Sequence, residues 1–92
     1  MSKLSAEQVA VNLNLLPQWK YDEDKLVKTF QKSSFNEAIH FVVALAKLAE
    51  EANHHPDLRV QYNKVIVCLT THQFHGVTGK DFLLAQQIEL IK

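Results

Sequence analysis

Glycine and proline are scarce in this chain, with two of each in 92 residues. Its elements must therefore be joined by short turns, without a flexible linker or a low-complexity segment. A chain of this length has room for one hydrophobic core, so residues 1–92 read as a single domain. Cysteine is scarcer still. Cys68 stands alone and cannot form an internal disulfide, which makes a reducing cytoplasm the expected compartment. Net charge is absent, because ten Lys and Arg balance ten Asp and Glu. That removes the electrostatic footprint of a nucleic-acid or anionic-membrane binder, and it weakens the self-repulsion that opposes homo-association. No apolar run approaches the roughly 20 residues that cross a bilayer. Met1 to Gln8 is polar and lacks the apolar centre of a signal peptide. No internal repeat is present.

Histidine stands out against this background. His54 and His55 are adjacent and precede Pro56, and His72 lies further on. Imidazoles give and take protons near neutral pH, so a cluster of them is a candidate for acid/base chemistry.

Three helices are marked by their caps. Ser5-Ala6-Glu7-Gln8 is a capping box, with Leu4 and Val9 placed as a hydrophobic staple, and its helix is expected to reach about Leu15, before Pro17. Ser34-Phe35-Asn36-Glu37 is a second capping box, opening a helix to about Asn53. Thr78-Gly79-Lys80-Asp81 opens a third, stapled by Val77 and Phe82, that runs to the C-terminus. Trp19 to Tyr21 and Leu26 to Phe30 read as strands around the polar turn Asp22 to Lys25. Leu58 to Tyr62 and Val65 to Thr70 read as a second hairpin, turning at Asn63-Lys64. The order αββαββα predicts an α+β domain: a four-stranded antiparallel sheet with three helices on one face.

With Asn63 and Lys64 as the loop, Tyr62 pairs with Val65, Val60 with Val67 and Leu58 with Leu69, all on one apolar face. The same register places His55 opposite His72, so the histidines should gather at the open end of the hairpin. In the middle helix, Phe35, Ala38, Val42, Ala46 and Ala49 form the face expected against the sheet. Glu50 falls on the apolar flank, four residues before His54, as a helical neighbour of that histidine. Phe41, Leu45 and Leu48 lie off the sheet-facing direction and predict a second packing surface, most simply another copy of the chain.

Each feature has a plainer explanation. Asp81 is the third residue of a capping box, and the cap alone accounts for it. Cys68 in mid-strand reads as a small core hydrophobe, and His40, His75 and Glu51 as surface groups. A metal site built from His54, His55, His72, His75 and Glu50 matches no strong zinc spacing. No serine or cysteine stands in a nucleophile's setting.

At these residues the chain resembles the pterin-4a-carbinolamine dehydratases. The resemblance rests on Glu50, His54-His55-Pro56, Tyr62, His72 and Asp81 at the family's spacings, and on flanking Ala49-Glu50, Tyr62-Asn63, Thr71-His72 and Gly76-Val77-Thr78. It extends from about Leu13 to Ile88. Leu58 departs from the family, many of whose members carry Trp there as a wall of the pterin site. Gln73, Phe74-His75 and Lys32 also differ.

The resemblance implies a lyase that dehydrates a 4a-hydroxytetrahydropterin, in tetrahydropterin recycling, with no metal or organic cofactor. His54 and His72 would be the acid/base pair, and Glu50 would orient or charge-tune His54. His55, Pro56 and Leu58 would shape the pterin site, and Asp81 would fix His72 or a substrate nitrogen. The implied assembly is a homodimer or homotetramer, with no direct nucleic-acid or membrane partner. Some animal members bind a transcription factor as well. A non-catalytic interaction module that kept the fold is the alternative.

Overall fold

A computed structural model describes residues 2–92. The elements run α1 (Ala6–Leu13), β1 (Lys20–Asp22), β2 (Lys25–Gln31), α2 (Phe35–Ala52), β3 (Asp57–Gln61), β4 (Lys64–Leu69), a 3-10 turn at His72–Phe74, and α3 (Gly79–Glu89). The four strands form one antiparallel sheet in the order β1-β2-β4-β3. This is the αββαββα architecture expected from the caps and hairpins. Among the described residues no helix is long and apolar enough to cross a membrane.

Local chemistry explains the boundaries. Ser5 and Gln8 exchange both bonds of the first capping box, but α1 ends at Leu13 rather than Leu15. Leu15 and Leu16 donate to carbonyls only three residues back, at 3.1 and 3.0 Å, and this tightening turns Leu16 into the core. Glu23 and Asp24 both have positive φ, 47° and 64°, which suits the two-residue turn joining β1 to β2. Ser34 caps α2 by accepting from the Glu37 N–H at 3.1 Å.

The second hairpin turns one residue earlier than expected. Its loop is Tyr62-Asn63, with Gln61 opposite Lys64, Val60 opposite Val65 and Leu58 opposite Val67. Asn63 decides this. Its side chain donates to the Lys32 carbonyl at 3.0 Å and its own carbonyl accepts from the Lys32 N–H at 2.7 Å, clipping the hairpin tip to the end of β2. The register moves by two residues, an even number, so each side chain keeps its predicted face. The ladder stops at Asp57 and Cys68, so His55 and His72 are not strand partners.

The inward face of the sheet carries Leu26, Val65, Val67 and Leu69, all fully buried. Against it and α3, helix α2 presents Ala38, Phe41, Leu45 and Ala49. Phe41 and Leu45 are 4% and 0% exposed, so they belong to the core and not to a second surface. Conversely, Phe35 is 51% exposed, and Ala46 is exposed. The buried stripe is rotated from the expected one because α2 packs against α3 as well as against the sheet. Lys28 also points inward. Its ammonium is held by Glu89 at 2.7 Å, and Glu89 also accepts from the Trp19 indole at 3.0 Å. A buried cation needs such a partner, and this one pins the end of α3 to β2.

Candidate functional site

The site begins with the way α2 ends. Asn53 adopts the left-handed conformation, φ 50°, its N–H bonding to Glu50 O at 3.2 Å, while the His54 N–H bonds to Ala49 O at 3.1 Å. This is a Schellman closure with Asn in the place usually taken by Gly. It reverses the chain, so His54 no longer follows the helical path that would set it over Glu50. The His54 side chain turns inward instead and is only 10% exposed, while that of His55 turns outward and is 58% exposed.

His54 meets Asp81. Nε2 of His54 lies 2.5 Å from Oδ1 of Asp81, whose side chain is completely buried. The other carboxylate oxygen accepts from the Thr71 hydroxyl at 2.7 Å and from the Thr78 N–H at 2.9 Å. Because Thr71 spends its proton on Asp81, the 2.8 Å contact between the two threonine hydroxyls has Thr78 as donor. Asp81 is therefore both the cap of α3 and the fixed point of a four-residue network. A carboxylate only accepts, so the network assigns the His54 proton to Nε2 and leaves Nδ1 as the free nitrogen. Among the described residues Nδ1 has no hydrogen-bond partner, and it is not sealed from solvent.

Glu50 has a different partner from the one expected. It bonds to Nε2 of His55, in an exposed pair. His72 opens the 3-10 turn and is exposed, with its carbonyl accepting from His75, which is left-handed at φ 56°. A cleft of about 310 Å³ brings together His54, His55, His72, Thr71, Gln73 and Lys80. Asp81 does not line this cleft and reaches it through His54 and Thr71. Glu50 lies outside its lining, beside Val43 and Ala46. Pro56 and Leu58 are half-buried and do not line the cleft; Leu58 packs on the edge of the core. Among the described residues no three His, Cys, Asp or Glu side chains group as metal ligands do.

Two residues of the site escaped the sequence reading. Thr71 continues the inward alternation of Val65, Val67 and Leu69, so a threonine at a core position was the available signal. Lys80 gave none, being one cation on a helix's first turn.

Comparison with known proteins settles the family. The family model for pterin 4 alpha carbinolamine dehydratase matches residues 2–91. The chain belongs to that family.

A dehydratase-family relative from Chloroflexus aurantiacus is 44% identical over 91 residues, covering 99% of this chain and 98% of the relative. One from Sulfolobus acidocaldarius is 42% identical over 90 residues, covering 98% and 99%. Both bear the family's activity as a provisional name. Among solved structures, a transcriptional coactivator/pterin dehydratase from Brucella melitensis is similar with a TM-score of 0.93 and 29% identity, over 96% of each chain. A pterin dehydratase-like RuBisCO assembly factor of the alpha-carboxysome is similar with a TM-score of 0.64 and 22% identity, over 77% of this chain and 82% of that one. That second likeness speaks for the fold alone. The fold thus serves proteins described in three ways, and the activity of this chain has to be argued from its own cleft.

Proposed function

We propose that this protein dehydrates a 4a-hydroxytetrahydropterin to the quinonoid dihydropterin and water, with His54 and His72 as the proton carriers. The observation that carries the reading is His54 itself: a nearly buried imidazole, immobilised by a buried carboxylate, with its other nitrogen free and two further histidines on the same cleft. In the reaction the C4a–O bond breaks, a C4a=N5 double bond forms, the 4a-hydroxyl gains a proton to leave as water, and N5 loses one. Nδ1 of His54 suits the N5 proton, because Asp81 stabilises the imidazolium that results. His72, exposed at the rim, suits the leaving hydroxyl. Glu50 acts on His55, which lines the cleft. The step uses no metal or organic cofactor.

The test is the rate of dehydration of a 4a-hydroxytetrahydropterin. His54→Ala and His72→Ala should each lower kcat by about 10²–10⁴-fold, read on protein shown to be folded because His54→Ala also strands the buried Asp81 carboxylate, and the wild-type rate should be bell-shaped in pH. Unchanged turnover in both variants ends the acid/base assignment. The coactivator description of the Brucella protein and the displacement of Leu58 from the cleft favour a second reading, an interaction module without catalysis. A wild type that accelerates nothing would select it.

Assembly is part of the proposal. Phe35, half-buried Ile39, Val43 at 59% exposure and exposed Ala46 form an uncovered apolar stripe on α2. A homodimer or homotetramer through this stripe follows, in a cytoplasm whose reducing conditions suit the free Cys68. Val43→Asp should shift light scattering toward smaller species. A monomeric wild type would defeat the proposal.

A further inference from the structure

We infer that the groove between α2 and α3 receives the substituent on C6 of the pterin, and that the preferred substrate carries there a flat apolar stem ending in carboxylates, an aryl-amide glutamate of the folate type. The inference rests on the dehydratase reading above and names its substrate.

The cleft does not end at His54. A second cavity, of about 340 Å³, shares His54 and Lys80 with it and is walled by Leu48, Ala52, Leu83 and Leu84. Through Leu48, Glu51 and Gln87 this cavity continues into a third, of about 570 Å³, bounded by Ala44, Lys47, Leu90 and Lys92. The chemistry fixes which part of the substrate points that way. The reacting bond joins C4a to N5, and N5 is bonded directly to C6. A substituent on C6 therefore leaves the ring one bond from the atom His54 deprotonates, at the residue common to cleft and groove.

The walls describe the substituent. Leu83 and Leu90 are 58% and 78% exposed, so the groove offers uncovered apolar surface to a stem. Its charges are Lys80 at the junction, Glu51 midway, and Lys47 and Lys92 at the far end. None of the three lysines has an ion-pair partner among the described residues. The far end therefore suits an anion. Lys47 lies five residues before Ala52 in α2, about 8 Å along the helix axis, a distance a benzoyl-amide stem can span. A short neutral side chain would use neither the leucines nor the lysines.

The probes are three stable dihydro forms: 6-methyl-7,8-dihydropterin, 7,8-dihydropteroate and 7,8-dihydrofolate, titrated calorimetrically into the intact protein. Dihydrofolate should bind most tightly, about three- to tenfold better than the 6-methyl compound. Lys47→Gln should weaken dihydrofolate most, dihydropteroate with its single, nearer carboxylate less, and the 6-methyl compound not at all, whereas Leu83→Gln should weaken both aryl compounds alike. Neither should alter dehydration of 4a-hydroxy-6-methyltetrahydropterin. Dihydrofolate binding no better than the 6-methyl compound, or a preference that survives both substitutions, overturns the groove assignment while the dehydratase reading stands. If the wild type fails to dehydrate the 6-methyl substrate, the dehydratase reading falls and the groove assignment falls with it.

Discussion

His54 and His55 are adjacent in the chain and each is bonded to a carboxylate, yet the two pairs differ in what sets their energy. His54 and Asp81 are nearly or completely buried, and Asp81 is held by two further donors. His55 and Glu50 are exposed at 58% and 75%, and among the described residues no further bond holds their carboxylate. In water a charge pair is screened and gains little over solvation. Away from water, the same pair is expensive to break, because whichever partner remains keeps an unpaired buried polar group. The difference is one of environment, produced by a single left-handed residue, Asn53, between the helix that carries Glu50 and the two histidines. The buried pair can hold an imidazole in one orientation and one tautomer through many turnovers. The exposed pair can only bias a mobile group.

The comparison breaks most readily at Asp81. Asp81→Ala should destabilise the fold by about 3–5 kcal/mol, since it orphans His54, Thr71 and the Thr78 N–H together; urea unfolding measures this. Asp81→Asn sharpens the point. It keeps the volume and one acceptor, but its amide can donate to Nε2 and move the His54 proton to Nδ1. Turnover should then fall by about 10²–10⁴-fold, out of proportion to the loss of stability. Equal turnover in Asp81→Asn would show that the tautomer is not held by Asp81. Thr71→Val comes next. It removes a donor to Asp81 and strands the Thr78 hydroxyl, at a cost of about 1–3 kcal/mol, readable as a lowered urea midpoint with an unchanged slope. The smallest effect belongs to Glu50→Gln, at most about 1 kcal/mol and shrinking as salt is raised. A Glu50 variant as damaging as Asp81→Ala would mean that burial does not separate the two pairs.

Much of the fold was legible in the sequence because its signals are local. Ser5, Ser34 and Thr78 each sit where a side-chain oxygen satisfies the first free N–H groups of a helix, and all three cap, although at Ser34 only half of the expected box forms, the Ser34 hydroxyl accepting from the Glu37 N–H. The alternation of Val65, Val67 and Leu69 marked the inward face of β4, and a register error of two residues left that face unchanged. Less of the site could be read. A helical spacing of four predicts that Glu50 and His54 are neighbours, and it fails where the helix ends in a left-handed residue between them. Asp81 looked like a cap and is one, but its second oxygen serves His54, a contact between residues 27 apart in sequence.

The sequence by itself determined the helices, the two hairpins, their order, and which histidines and carboxylates were available, because capping, turn chemistry and side-chain alternation act over a few residues. Tertiary structure alone decided how α2 is rotated, which places Phe41 and Leu45 in the core, and which carboxylate each histidine receives. Those outcomes depend on where α3 lies against α2 and on the direction the chain takes after Asn53. No local pattern encodes either, because the partners that fix them are far away in the chain and close only once the core has formed.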